Sequence, residues 1–227
     1  MNLKILSLVI IGVCILLPDV CYAFLEKDVH LLNMQNGLAD NTVSAVYKDK
    51  EGFVWFGTRN GLSRYDGRQI TNFEQSNSYP SISNLKEVFD GVLAFVDNGV
   101  FSAFDLKKER FLSVVSSSGQ GIPSRGMLQK NDSLVWVISG SELHLMKRCA
   151  SKEGELRLRI QEKYTGWDNQ DNLLVAITYS SDKKSICLID EKGRIILLDT
   201  TNLNSFRVID LGRTGSLSVN SVLYDDG

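Results

Sequence analysis

The sequence predicts an all-β protein, specifically an incomplete β-propeller of about four four-stranded blades plus part of a fifth. Three observations lead to this prediction. Short runs of strand-favouring residues alternate with polar turns that contain glycine. No amphipathic helical pattern of useful length follows the apolar N-terminal stretch. Related features recur about every 40–45 residues, which is the spacing typical of propeller blades.

The first blade is the clearest in the sequence, between Asn36 and Phe73. Its four predicted strands are Thr42–Lys48, Phe53–Gly57, Leu62–Tyr65 and Gln69–Phe73. The turns between them are short, and each has a glycine that can adopt a positive φ. Such a small meander has two faces to cover and is not stable alone, so we expect it to pack against further copies.

Later parts of the chain repeat elements of this first blade. Arg59-Asn60-Gly61-Leu62 recurs as Asp97-Asn98-Gly99-Val100, and Val54-Trp55 recurs as Val135-Trp136. The first strands of successive repeats are predicted to start near Thr42, Ser83, Arg125, Leu173 and Ser218. The fifth repeat is incomplete, so we interpret the chain as a fragment of a longer protein.

The N-terminus has the pattern of a secretory signal peptide over residues 1–23. A short basic start precedes thirteen apolar residues, Ile5–Leu17, and Cys21-Tyr22-Ala23 offers small residues before a cleavage site. An uncleaved membrane anchor is the alternative. The remaining residues, 24–227, form the predicted partial propeller, with Val29–Leu32 as an additional strand that would complete the last blade.

Residues Asn36–Gly67 resemble the regulator-propeller repeat, a family found in periplasmic sensor halves of hybrid two-component systems of glycan-foraging Bacteroidetes. The resemblance implies a truncated N-terminal sensor part that binds an oligosaccharide. It also implies a parent anchored in the inner membrane, whose histidine kinase and response regulator parts are not in this chain. The implied partners are the rest of that sensor kinase and a second sensor copy, as a homodimer.

Few residues suggest catalysis or a cofactor. The chain has two His residues, and spacings typical of zinc sites, nucleotide-binding loops or a nucleophile elbow are absent from the sequence. We therefore predict a non-enzymatic chain with no cofactor and no metal, in which His144 has a structural or solvated role rather than a catalytic one. A net charge of −2 with interspersed signs gives no reason to expect nucleic acid binding.

Two other functions remain open at this stage. One is a secreted propeller enzyme, a polysaccharide lyase or hydrolase that uses carboxylates on the ring face. The other is an interaction propeller that binds a protein partner.

The predicted ligand site lies on loops at one end of the propeller. In a four-stranded blade, the turns between the second and third strands emerge at the same end as the blade-to-blade connections. The candidate ligand-binding residues there are Arg59, Asn60, Asp97, Asn98, Trp167 and Asp168. Trp167 either stacks on a sugar ring or packs into the edge of a blade.

Two pairs of side chains are expected to be structural. Trp55 and Trp136 occupy equivalent second-strand positions and should pack between neighbouring blades. Cys149 and Cys187 are predicted to be two separate buried thiols because their repeat positions lie in different blades, with a disulfide as the alternative.

Overall fold

The computed structural model describes residues 31–74, 81–167, 172–210 and 212. The chain divides into two units, Met1–Leu32 and Asn33–Gly227, and the fold below is that of the second unit. The predicted signal peptide and the fifth repeat near Ser218 lie outside the described residues.

The described chain is an incomplete β-propeller of four blades, as predicted, and each blade has four strands. The strands of blade 1 are β1 (Val43–Lys48), β2 (Val54–Thr58), β3 (Gly61–Tyr65) and β4 (Ile70–Phe73). Those of blade 2 are β5 (Ile82–Phe89), β6 (Val92–Asp97), β7 (Val100–Asp105) and β8 (Arg110–Ser116).

Blades 3 and 4 repeat this antiparallel order. The strands of blade 3 are β9 (Gly126–Asn131), β10 (Leu134–Ser139), β11 (Glu142–Cys149) and β12 (Glu155–Tyr164). Those of blade 4 are β13 (Leu174–Tyr179), β14 (Ser185–Asp190), β15 (Ile195–Asp199) and β16 (Phe206–Ile209). The four first strands therefore begin within one residue of the starts read from the sequence.

The alternation of side chains in blade 1 explains why it packs on blade 2. Trp55 on β2 pairs with Tyr47 on β1 and with Arg64 on β3, so these three side chains share one face. Trp55 is buried on this face and lies 5.4 Å from the ring of Phe104 in blade 2. The predicted packing role of Trp55 is confirmed.

Three apolar clusters fill the spaces between successive blades, and together they form the core. The cluster between blades 1 and 2 is built on Trp55, Leu62, Ile82, Leu85, Leu93, Phe95 and Phe104. The largest cluster joins blades 2 and 3, and the next joins blades 3 and 4 and contains Trp136. The packing role predicted for Trp136 is also confirmed.

Blades 2 and 3 are joined more closely than the repeat pattern predicts. Their outer strands, β8 and β12, pair in parallel, so the two blades form one eight-stranded sheet. Glu153 stabilises this junction because it accepts hydrogen bonds from Lys108 and Arg110, at 2.8 and 2.9 Å. No turn or glycine pattern in the sequence signals this pairing.

The segment before β1 covers part of the other face of blade 1. Leu38 is buried there, the Ala39 N–H donates to Ser63 Oγ, and Asn72 Nδ2 donates to the Gly37 carbonyl. This segment contains a short 3₁₀ helix, Met34–Asn36, which ends at Gly37 with φ 105°.

The additional strand predicted at Val29–Leu32 is not found in its described part, because Leu31 and Leu32 are not in a strand. Val29 and His30 lie outside the described residues.

Cys149 and Cys187 are free thiols, as predicted, although both are half-buried rather than buried. Partial burial raises the pKa of the Cys187 thiol because it disfavours the thiolate. In the part of the chain that the structure describes, no helix is long and apolar enough to cross a membrane.

Gly57 lies against Ile82 of blade 2 and gives a test of this packing. A Cβ at Gly57 would lie 2.5 Å from Ile82 Cγ2 and 3.3 Å from Ala45 Cβ. We expect Gly57→Ala to lower the free energy of unfolding by about 1–3 kcal/mol, because the extra methyl overpacks the interface.

Denaturant unfolding followed by tryptophan fluorescence measures the effect. The matched control is Gly121→Ala, since a Cβ there meets only Val100 Cγ1, at 3.6 Å. The control should leave the free energy of unfolding unchanged or slightly raised. Equal effects of the two substitutions would contradict the close contact between blades 1 and 2.

Candidate functional site

The turns between second and third strands gather at one end of the blades together with the connecting segments. The Asn98 N–H donates to the Ser81 carbonyl, and the Ser124 N–H donates to the Gly99 carbonyl. The Leu174 N–H likewise donates to the Gly140 carbonyl at the next blade boundary. These hydrogen bonds join the blade 2 and blade 3 turns to the described parts of the connecting segments, and this end of the blades is called the turn end below.

The blade 1 turn at this end presents Arg59 and Asn60, and both are exposed. Thr58 pairs with Gly61 across the turn, and the Thr58 hydroxyl donates to the Gly61 carbonyl at 2.9 Å. Gly61 has φ 104°, and a Cβ there would lie 2.5 Å from the Phe73 carbonyl oxygen. Glycine is required at this position for both reasons. Asn60 is held by hydrogen bonds from its N–H to the Thr58 hydroxyl and from its Nδ2 to the Ala39 carbonyl.

The blade 2 turn has a different register although its sequence is similar. Asp97 pairs directly with Val100, so Asn98 and Gly99 are the two central residues, with φ 48° and 80°. Two positive φ values are typical of a tight type I′ hairpin turn, for which Asn-Gly is the preferred sequence. Asn98 is exposed at the tip of this turn.

Asp97 is buried, unlike its neighbour at the turn tip. Its Oδ1 accepts hydrogen bonds from the Ser81 N–H at 3.3 Å and from Asn98 Nδ2 at 3.0 Å. Burial raises the pKa of Asp97 above its ordinary value, and the Ser81 hydrogen bond partly opposes this rise. Asp97 therefore holds the turn to the start of blade 2 and positions Asn98.

Trp167 has the packed arrangement, the second of the two alternatives predicted for it. Only 9% of its surface is exposed, and it belongs to the apolar cluster between blades 3 and 4. Its Nε1 donates to the Ser141 carbonyl at 3.0 Å, and its ring meets Phe206 edge-on at 6.3 Å. Asp168, the last predicted ligand-binding residue, lies outside the described residues.

His144 lies within β11 and is buried beside a carboxylate. Its Nε2 is 2.6 Å from Glu142 Oε2, which also accepts a hydrogen bond from Lys163 at 3.4 Å. The hydrogen bond from His144 and the charge of Lys163 lower the pKa of Glu142. Among the described residues, no group of His, Cys, Asp and Glu side chains has a metal-binding arrangement.

A cleft lies between blades 1 and 2 at the opposite end, and no sequence pattern predicted it. It has a volume of about 200 Å³ and lies between the β1–β2 turn, the β5–β6 turn and the β7–β8 turn. Glu87 lines it from strand β5, and only 7% of the Glu87 side chain is exposed. A charged pair, Lys86-Glu87, inside a predicted strand is the signal that sequence analysis could have used.

The charged side chains of this cleft are held in specific positions. Glu87 Oε1 accepts hydrogen bonds from Lys50 Nζ at 3.2 Å and from the Gly91 N–H at 3.0 Å. Arg64 lies with its guanidinium carbon 4.8 Å from the centre of the Phe53 ring. The half-buried Tyr47 hydroxyl has a raised pKa, mainly because of burial and secondly because of the nearby Glu87 charge.

Comparison with known proteins agrees with the fold and with the repeat family of blade 1. The sequence profile of the Two component regulator propeller family matches residues 37–60, which confirms the regulator-propeller resemblance. This match ends at the exposed pair of the blade 1 turn. No curated protein matches the sequence.

Several solved structures share the propeller fold. The extracellular domain of a protein described as the one component system BT4673 from B. thetaiotaomicron has a TM-score of 0.59 at 15% identity, over 79% of this chain and 27% of that one. The extracellular domain of the hybrid two component system BT3049, from the same organism, has a TM-score of 0.54 at 19% identity, over 80% and 26%. The WD40 β-propeller domain of Doa1 has a TM-score of 0.52 at 13% identity, over 75% and 54%. The chain thus spans about a quarter of the two extracellular domains.

The buried position of Trp167 leads to a stability prediction. Trp167→Ala should lower the free energy of unfolding by about 3–5 kcal/mol, because it removes a buried ring from the cluster between blades 3 and 4. Trp167→Phe should cost less, about 1 kcal/mol, since packing is largely kept and the hydrogen bond to Ser141 is lost. Urea unfolding measures both. A loss of less than about 0.5 kcal/mol for Trp167→Ala is the behaviour of an exposed residue and would contradict the packed position.

Proposed function

We propose that this chain is the ligand-sensing propeller portion of an extracellular signalling protein of the hybrid two-component type. The observation that carries the proposal is the Two component regulator propeller match at residues 37–60, within four blades of propeller fold. The likeness to two extracellular domains of B. thetaiotaomicron signalling proteins is in keeping with this role. A propeller fold alone does not define a function, so the repeat family carries the argument.

In this proposal residues 1–23 export the chain and residues 24–227 form the sensor portion outside the inner membrane. The output is a histidine kinase in another part of the parent protein, so this portion itself is not an enzyme. A second sensor copy pairs with the first as a homodimer. Ligand binding favours one arrangement of the paired copies and thereby changes kinase activity, because a ligand shifts a conformational equilibrium by its differential affinity.

The proposed ligand is an oligosaccharide, and the proposed contact surface is the turn end. Arg59, Asn60 and Asn98 are exposed there on turns that are fixed by glycines and by the buried Asp97. Guanidinium and amide groups on such rigid turns can donate several hydrogen bonds to sugar hydroxyls. Trp167 contributes by packing beneath this surface, and Asp168 is kept as a proposed contact.

The test is a binding screen with the full chain and a panel of plant and animal oligosaccharides, followed by calorimetry on any that bind. We expect binding without release of shorter or unsaturated products. Arg59→Ala and Asn98→Gly should weaken it at least tenfold. Glycine is chosen at position 98 because it keeps the positive φ.

The matched control is Arg68→Ala, which removes an exposed arginine from the β3–β4 turn at the opposite end. It should leave the affinity unchanged. Cleavage of an oligosaccharide would favour the secreted-enzyme alternative, and binding of proteins alone would favour the interaction propeller. Failure of every oligosaccharide to bind would contradict the proposed ligand class.

A further inference from the structure

The cleft between blades 1 and 2 contains a buried carboxylate oxygen for which the protein supplies no hydrogen bond. Glu87 Oε1 is fully engaged, but Glu87 Oε2 has no hydrogen-bond partner among the residues that the structure describes. Leaving a buried charged group partly unsatisfied is costly, and such sites usually complete their hydrogen bonds with a water, an ion or a ligand. The open volume beside Glu87, about 200 Å³, can hold a small molecule.

The partner of the other Glu87 oxygen indicates the chemistry that this site accepts. The Lys50 side chain is 68% exposed, so the ammonium that pairs with Glu87 is at the end of a solvated, flexible chain. Fixing an exposed lysine in one position costs side-chain entropy, which offsets part of the energy of its pair with Glu87. An ammonium group from another molecule can therefore compete with it.

The charges around the cleft also favour a cation. Its lining contains the carboxylates of Asp49, Glu51, Glu87 and Asp90 and the cations Lys50, Arg64 and Lys107. Two of these cations have carboxylate partners of their own, since Arg64 pairs with Glu109 at 2.6 Å and Lys107 pairs with Asp90 at 3.2 Å. Lys50 is thus the cation that balances Glu87.

We propose that this cleft binds a small molecule with a primary ammonium group, and that the Glu87 carboxylate is its anchor. The ammonium donates to the carboxylate, and the remainder of the molecule lies against the Phe53 side chain beneath Arg64. A charge-assisted hydrogen bond to the carboxylate is about twice as strong as a neutral one, so an amine should bind in preference to an alcohol of the same size. This site is at the opposite end from the proposed oligosaccharide surface and does not depend on it.

The test uses ethanolamine, propylamine and 1,4-diaminobutane as probes, with ethylene glycol and propanol as uncharged controls. Chemical shift changes and calorimetry at low salt with the full chain should give dissociation constants on the order of 1 mM for an amine. The alcohols should not bind detectably. Equal binding of amines and alcohols, or no amine binding, would overturn the proposal.

Two variants separate a binding role from a structural one. Glu87→Gln keeps the side-chain shape and should weaken amine binding about tenfold or more, whereas the matched control Glu74→Gln changes an exposed carboxylate outside the cleft and should not. Lys50→Met removes the competing ammonium and should strengthen amine binding several-fold. Unchanged or weaker binding in Lys50→Met would overturn the proposal even if Glu87→Gln failed to fold.

Discussion

The hydrogen bond between Asp49 and Trp55 is the interaction on which blade 1 depends. Trp55 Nε1 donates to Asp49 Oδ2 at 2.7 Å, and the Phe53 N–H donates to Asp49 Oδ1 at 2.8 Å. One buried carboxylate thus closes the β1–β2 turn and fixes the indole ring that packs against blade 2. Removing it leaves the buried Trp55 N–H and the partly buried Phe53 N–H without this acceptor. Leaving a buried donor unsatisfied costs more than the hydrogen bond itself contributes.

The position of the Trp55 ring is also related to the positions of the two proposed binding sites. Because Trp55 packs blade 1 against blade 2, the turns of both blades are aligned at each end of the interface. At one end the exposed Arg59 and Asn98 form the proposed oligosaccharide surface. At the other end the same packing leaves the cleft beside Glu87. In blade 3 the equivalent position to Asp49 is Lys130, whose ammonium lies 4.8 Å from the Trp136 ring, so the Asp–Trp arrangement is not repeated there.

Features of the fold that depend on local sequence patterns could be predicted from the sequence. Strand alternation, turn glycines and the repeat spacing predicted the four blades and the turn end, because each of these is set by neighbouring residues. The sequence did not show whether Trp167 is exposed or packed, because the burial of a loop tryptophan depends on contacts such as the one with Phe206 in another blade. The β8–β12 pairing and the cleft were missed for the same reason: both arise where residues distant in sequence meet, and no periodic pattern records such contacts.

A double-mutant cycle on Asp49 and Trp55 tests the central packing claim most directly. The free energy of unfolding would be measured for the parent chain, Asp49→Ala, Trp55→Phe and the double variant, with Trp136 and Trp167 as fluorescence reporters. We expect a coupling free energy of about 1–3 kcal/mol, since each residue satisfies the other's buried polar group. A coupling within about 0.3 kcal/mol of zero would contradict the claim that this pair organises the first blade and the two surfaces beside it.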